Sequence, residues 1–458
     1  MTILRSINPA TGKPRHEVET LSDSALEQRL AAAQSAFAGW KATGFDERAR
    51  VLRDVAALMR EDVDNLARLM TEEMGKPVRE ARGEVEKSAW CAEHYAEHAE
   101  RYLAAEHLDS DASQSYVQYL PLGVILGILP WNAPFWLAFR FAAPTLMAGN
   151  TCVMKHDPNV PACAEAIGKL FERVGAPAGV FANLPLETER AAGVIRDSRV
   201  QAVSFTGSEK AGGIVASTAA AEIKHSVLEL GGSDPAIVLA DADLEKAADT
   251  ICLSRIINAG QSCIAAKRII VEEAVHERFV GMLHERLARL KLGDPAAEET
   301  DIGPIARADL RGNLHRQVRE TVEAGAQCPL GGELPKGEGF FYPVTLLTHV
   351  KREMTAAKEE TFGPVAVVMK VAGEDEAVAL ANDSDYGLAA AVWTRAERGV
   401  AMASRLETGQ VAVNGIVKTD PRLPSGGVKR SGIGRELGPH GIREFVNAQQ
   451  VWVGPSKA

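Results

Sequence analysis

The chain carries one cysteine in a setting that suits covalent chemistry. In NAGQSCIAAKR, Asn258 to Arg268, Cys263 lies among small residues, preceded by Gly-Gln and followed by a basic pair. A cysteine thiolate is a nucleophile, yet a cysteine in a protein of this size is as readily a small buried hydrophobe. Three other stretches hold groups that a nucleophile needs. Glu229 stands in VLEL, ahead of the two glycines of ELGGSDP. A carboxylate on an apolar strand is costly unless paired or functional. Burial would raise its pKa and make it a general base, whereas a surface glutamate at a strand end would look the same. Asn132 lies in PWNAP, between prolines that stiffen its turn. An amide fixed in direction suits an oxyanion, and an asparagine that serves its own turn is equally compatible. SFTGSEKAG sets Gly207 and Ser208 between a strand and a helix, where free N–H groups suit a phosphate. The GxGxxG dinucleotide fingerprint is absent from the chain.

The elements that must position these groups are legible from periodicity. The N-terminal hundred or so residues read as helices: SDSALEQRLAAAQSAFAGW with a serine cap, a second run over about 46–74 that stops at Gly75 to Pro77, and a third over about 79–105. SQSYVQYLPLGVILGILPWN then reads as a hairpin arm followed by a buried strand. TCVMK, VQAVSFTG, PAIVLA, RIIVEE and PVAVVMKV read as strands alternating with helices, which predicts parallel sheets with helices on their faces. Ligands of such sheets bind beyond the carboxyl ends of the strands. The uncharged stretch 112–139 is broken by Pro121, Pro130 and Pro134. It therefore reads as short strands and a loop rather than as a membrane span.

Composition narrows the class of partner. The 458 residues are 46% hydrophobic, and the formal net charge is −10. Opposite charges are interspersed without a basic run, so small molecules and copies of the same chain are expected as partners, not nucleic acid or membrane. The six cysteines include no CxxC and no zinc-spaced Cys/His pair, so no metal is expected. Scattered cysteines and an N-terminus without an apolar core fit a cytoplasmic protein.

Taken together, the ordered motifs PWN, FTGS, ELGG and GQxC resemble those of the aldehyde dehydrogenase superfamily. The likeness runs from INPATGK through EETFGPV to PSGGVKRSGIGRE. Within that family GQSCIAAKR, VMKH and VNGIVKTDPRLP most resemble the shorter bacterial succinate-semialdehyde dehydrogenases. The resemblance implies an α/β fold with a Rossmann-type cofactor domain (1–110 and 123–230), an α/β catalytic domain (231–435) and a small β oligomerisation arm (111–122 and 436–458). It implies Cys263 as nucleophile, Asn132 with the Cys263 N–H as oxyanion donors, and Glu229 as the base that activates water against the thioester. For the cofactor it implies Lys155 on a ribose hydroxyl, Gly207 and Ser208 at the pyrophosphate, and Trp131 and Leu230 lining the nicotinamide side. Glu360 would hold the second ribose, and Phe362 would pack on the nicotinamide.

Two positions depart from common family patterns. Pro158 stands where NAD-preferring members carry a glutamate and NADP-preferring members a small residue, with Asp157 before it. NAD is therefore expected, with NADP possible. NLPLETER replaces a loop that is often glycine-rich near the pyrophosphate. For the substrate, the resemblance implies Arg140 on the distal carboxylate of a four-carbon semialdehyde, with Thr419 and Arg422 as further candidates. An arginine paired to a neighbouring acid is the alternative for Arg140. Glutarate semialdehyde and broad aliphatic aldehydes are the alternative substrates. Release of the acyl group to CoA is disfavoured by the presence of Glu229, and a non-catalytic homologue by the intact nucleophile, base and amide. No cysteine adjoins Cys263, so no local disulfide switch is expected. A homodimer or tetramer is expected through the arm and the C-terminal strand.

Overall fold

The computed structural model describes residues 2–454; residue 1 and residues 455–458, the end of the expected C-terminal strand, lie outside the described residues. The chain opens on an antiparallel hairpin, Ile3–Asn8 with Lys13–Glu19, where helix was expected. The reason is local: Asn8 Oδ1 accepts from Ala10 N at 2.9 Å and Asn8 O from Gly12 N at 2.7 Å, closing a turn over Pro9. Helix Asp23–Ala42 follows, with Ser22 Oγ accepting from Ala25 N at 3.2 Å as its cap. The run expected over 46–74 is two helices, Phe45–Glu61 and Val63–Met74. They part at Asp62, whose carboxylate is taken by Asn65 Nδ2 and by Arg173 from a distant helix. Gly75, left-handed at φ 78°, ends the second helix, and Val78–Tyr102 is one long helix.

A six-stranded sheet runs in the order Gly432–Ile433, His225–Glu229, Val200–Thr206, Val124–Leu129, Thr151–His156, Phe181–Asn183. It is parallel except for its first strand. Val124–Leu129 and Thr151–His156 are buried along their whole length, as the unbroken apolar sequence of a parallel strand covered on both faces requires. A seven-stranded sheet runs Gln327–Leu330, Thr345–Thr348, Val365–Val371, Arg268–Glu272, Pro235–Val238, Ala389–Trp393, Gln410–Val413, antiparallel only at its first pair. The arm is a separate three-stranded sheet in which Gln114–Pro121 lies between Val446–Val453 and Glu106–His107. The uncharged stretch thus supplies an arm strand, a buried strand and the start of helix Pro134–Met147. Among the described residues no helix is long and apolar enough to cross a membrane.

This topology gathers the candidate residues at the ends of strands. Asn132, Lys155, Gly207 and Glu229 lie at or just past the carboxyl ends of four neighbouring strands of the first sheet. Cys263, Glu360 and Phe362 lie on loops that enter strands Arg268–Glu272 and Val365–Val371 of the second.

Candidate active site

The nucleophile loop is held by a strained backbone. Asn258, Ala259 and Gly260 all have positive φ, at 57°, 52° and 74°. Such strain persists only where neighbours impose it. Glu80 Oε2 accepts from Asn258 N at 2.7 Å, and Asn258 Nδ2 donates to Asn132 O at 2.9 Å and to Gln261 O at 3.1 Å. Gln261 Oε1 in turn accepts from Ala306 N at 2.9 Å.

Asn132 reaches the same loop. Its Nδ2 donates to Gln261 O at 3.1 Å, two residues before Cys263, while its own carbonyl is held by Lys76 Nζ at 3.0 Å. One amide proton therefore fixes the side chain, and the other remains to serve an oxyanion. The ELGG stretch arrives from the opposite side: a Cβ on Gly232 would lie 2.9 Å from the Cys263 carbonyl oxygen. The charges of Lys267, Arg140, Glu229 and Glu360 all act on the thiol, but burial dominates and pushes it up to about 11. Cys263 therefore rests as a thiol.

Glu229, the last residue of its strand, is 3% exposed, and its Oε1 has no hydrogen-bond partner. Burial raises its carboxyl to about 8, against the lowering effect of Arg140 and with the neighbouring negative charge of Glu436 adding to the rise. Gly426 makes room for it: at φ 148°, a Cβ there would sit 2.7 Å from Glu229 Oε1. A buried acid raised toward neutrality beside a nucleophile is the usual signature of a general base.

The cofactor candidates form a second group around the same strand ends. Trp131 and Phe362 meet edge to face, with ring centroids 5.9 Å apart. Ser208 caps helix Glu209–Ala221, its Oγ accepting from Ala211 N at 3.4 Å, so Gly207 and Ser208 do stand at a helix N-terminus. Leu230 packs on Gly212 of that helix. Glu360 accepts from Gly232 N at 3.2 Å and pairs with Lys267 Nζ at 3.0 Å; a Cβ on Gly231 would strike its carboxylate. Lys155 is buried and has its pKa lowered by burial, with Asp157 and Glu189 opposing the shift. Asp157 Oδ1 is taken up by Asn159 N and Nδ2 at 2.9 and 2.7 Å, in the turn that carries Pro158. Its carboxylate therefore serves its own turn.

The substrate candidates are dispersed. Arg140, one helical turn beyond Trp136, lies in the interior between Glu436, which it meets through Nε, and Glu229, 3.5 Å from its Nη2. The structure thus gives Arg140 two protein carboxylates as partners, the paired arrangement that competed with the substrate reading. Arg422 is turned away, gripping Asp420 at 2.8 and 2.7 Å and lying over Trp90, with its side chain 64% exposed. Thr419 is buried and accepts from Lys87 Nζ at 2.8 Å.

Sequence reasoning missed Lys87, Lys267, Glu436, Glu80 and Asn258. Lys267 and Asn258 stood inside the quoted cysteine stretch, and Glu436 closes PSGGVKRSGIGRE, so adjacency was their signal. Lys87 and Glu80 are charged residues on a long amphipathic helix and carried no signal.

The chain matches the aldehyde dehydrogenase family over residues 2–451. It is 47% identical to a protein of Synechocystis sp. named "Probable succinate-semialdehyde dehydrogenase", with NADP(+) in its name, over 98% of this chain and 99% of that one. It is 45% identical to an Escherichia coli succinate semialdehyde dehydrogenase, with NAD(P)+ in its name, over 98% and 97% of the two chains. The solved succinic semialdehyde dehydrogenase of Streptococcus pyogenes, in complex with NADP+, superposes with a TM-score of 0.96 at 35% identity, covering 98% and 99% of the two chains.

Proposed function

We propose that this chain, which belongs to the aldehyde dehydrogenase family, oxidises succinate semialdehyde to succinate with NAD+ or NADP+. The observation that supports the chemistry is the convergence of three distant segments: the Asn132 amide bonds the loop of Cys263, Gly232 of ELGG abuts the Cys263 carbonyl, and the Glu229 charge, with its Oε1 free of hydrogen bonds, acts on the Cys263 thiol. The acidic substrate is supported by the Lys87 ammonium lying against the Trp136 ring and by the relatives' names.

The site fits a dinucleotide on its own features. A capped helix N-terminus at Gly207 and Ser208 suits a pyrophosphate. Lys155 and Glu360 would hold the riboses, and Trp131, Leu230 and Phe362 would line the nicotinamide ring. When bound, the cofactor accepts the hydride that leaves the aldehyde carbon. Asp157 and Glu189 keep their negative charges near Lys155, and Pro158 adds none; use of both cofactors is supported by the relatives named for NADP(+) and NAD(P)+.

Cys263 gives up its proton and its sulfur adds to the aldehyde carbon, while the oxyanion is received by the Asn132 amide and the Cys263 N–H. Loss of hydride leaves a thioester on the sulfur. Ionised Glu229 then takes a proton from water, which adds to the thioester and releases succinate and the thiol. In this reading 1–110 and 123–230 hold the cofactor and 231–435 supplies the nucleophile. The arm makes a homo-oligomer. Leu108, Leu120, Trp452 and Val453 on or beside it are exposed apolar residues, and its outer strands are open edges.

The test is reduction of NAD+ and NADP+ by the purified protein with succinate semialdehyde, glutarate semialdehyde and butanal. Succinate semialdehyde is expected to give the highest kcat/KM. No reduction with any aldehyde, or a preference for butanal, overturns the proposal.

A further inference from the structure

Lys87, in the middle of helix Val78–Tyr102, is half-buried. Its Nζ stands 4.1 Å from the centroid of the Trp136 ring and donates to Thr419 Oγ1 at 2.8 Å. The carboxylates whose fields reach it, Glu84 and Asp420, are engaged elsewhere. Glu84 holds Lys76 and the N–H groups of Phe135 and Trp136, while Asp420 grips Arg422. Lys87 forms no ion pair among the described residues, and the cation Arg140 lies close enough to act on it.

A mostly buried cation without a carboxylate is an unbalanced charge, and its burial is offset only when an anion arrives. Burial and Arg140 together lower the ammonium to about 8. Arg140 also acts on the Cys263 thiol, so it is the common neighbour of the reacting sulfur and of Lys87. Its own charge is met by Glu436 and Glu229. The charge left over is on Lys87, beside a hydroxyl whose proton is free to donate and an indole face that can wall a short carbon chain.

We propose that Lys87 Nζ and Thr419 Oγ1 receive the distal carboxylate of an acidic aldehyde whose carbonyl lies at Cys263, and that Lys87 thereby sets the preference for a semialdehyde over an uncharged aldehyde of equal length. This rests on the acidic-semialdehyde reading above. Arg140 is a positioning residue for Glu229 and Glu436 in this account, and its removal disturbs both substrates alike.

The experiment compares kcat/KM for succinate semialdehyde and butanal in the wild type and in Lys87→Met, each across pH. Lys87→Met is expected to lower kcat/KM for succinate semialdehyde about 10- to 100-fold, chiefly through KM, as loss of one charge-assisted hydrogen bond does. Butanal should stay within about twofold, which also reports an intact fold. The wild-type ratio of acid to butanal should fall above pH 8 as Lys87 deprotonates, and this fall should vanish in Lys87→Met. Glu84 and Cys91 on the same helix, Arg140 and Asp420 are the other ionisable groups facing it. Glu229 acts on both substrates and cancels from the ratio. An equal loss with both aldehydes shows a structural role and overturns the proposal. A variant that keeps its acid preference overturns it as well. A wild type with no acid preference removes the substrate reading itself, and Lys87's role with it.

Discussion

Truncating Asn132 removes the side-chain amide proposed to receive the oxyanion and leaves the backbone contacts of the residue in place. In Asn132→Ala the backbone carbonyl stays, and with it the contacts from Lys76 Nζ at 3.0 Å and Asn258 Nδ2 at 2.9 Å. The side-chain bond to Gln261 O, 3.1 Å long, is lost. That bond is worth about 0.5–1.5 kcal/mol of stability, too little to unfold a chain with cores this large. The amide proton proposed to meet the oxyanion is lost too, which in that role removes about 2.7–4 kcal/mol of transition-state stabilisation. At about 1.4 kcal/mol per factor of ten, kcat should fall roughly 100- to 1000-fold. KM should change little, since the oxyanion exists only after addition. Steady-state reduction of the cofactor gives kcat and KM, and thermal denaturation of the same sample gives the stability term. Asn132→Asp sharpens the test by setting a carboxylate where negative charge develops, so it must be at least as slow as alanine. A kcat within about threefold of wild type in either variant, or a loss explained by a collapsed thermal midpoint, refutes the oxyanion assignment.

Glu229→Gln should release one equivalent of reduced cofactor in a burst and then stall, because the thioester forms but no base activates water; stopped-flow absorbance resolves the two phases, and sustained turnover contradicts the role. The base is active when ionised and its carboxyl is raised to about 8, so kcat should rise about tenfold per pH unit up to about pH 8 and level off above it. Glu436→Gln removes a nearby negative charge that raises Glu229, so the rising limb should move to lower pH; a shift upward contradicts the electrostatic account. Gly426→Ala places a methyl 2.7 Å from Glu229 Oε1 at a backbone φ of 148°. It should cost about 1–3 kcal/mol of stability and lower kcat with it, measured by denaturation and steady-state rates.

Much of the site was legible because its groups sit at strand ends, where local sequence announces the element and the side chain together. VLEL followed by glycines, a proline-flanked Asn132 after GVILGIL, and a strand–Gly–Ser–helix junction each carry their own structural context. The Ser22 cap and the stop at Gly75 were read for the same reason: capping is a short-range interaction. The N-terminal hairpin was missed because its turn is held by Asn8 in a stretch with little strand pattern. The break at Asp62 was missed because one of that residue's partners, Arg173, belongs to another helix.

By itself the sequence determined the family, the alternating α/β order and the three groups proposed to do the chemistry. Only the tertiary structure decided where charge is balanced. It set Arg140 between Glu229 and Glu436, paired Arg422 with Asp420, and left Lys87 without an ion-paired carboxylate. Electrostatic energy depends on distance and burial between residues far apart in the chain, and a lysine on a helix reads the same in sequence whether its ammonium ends in water or against a buried indole.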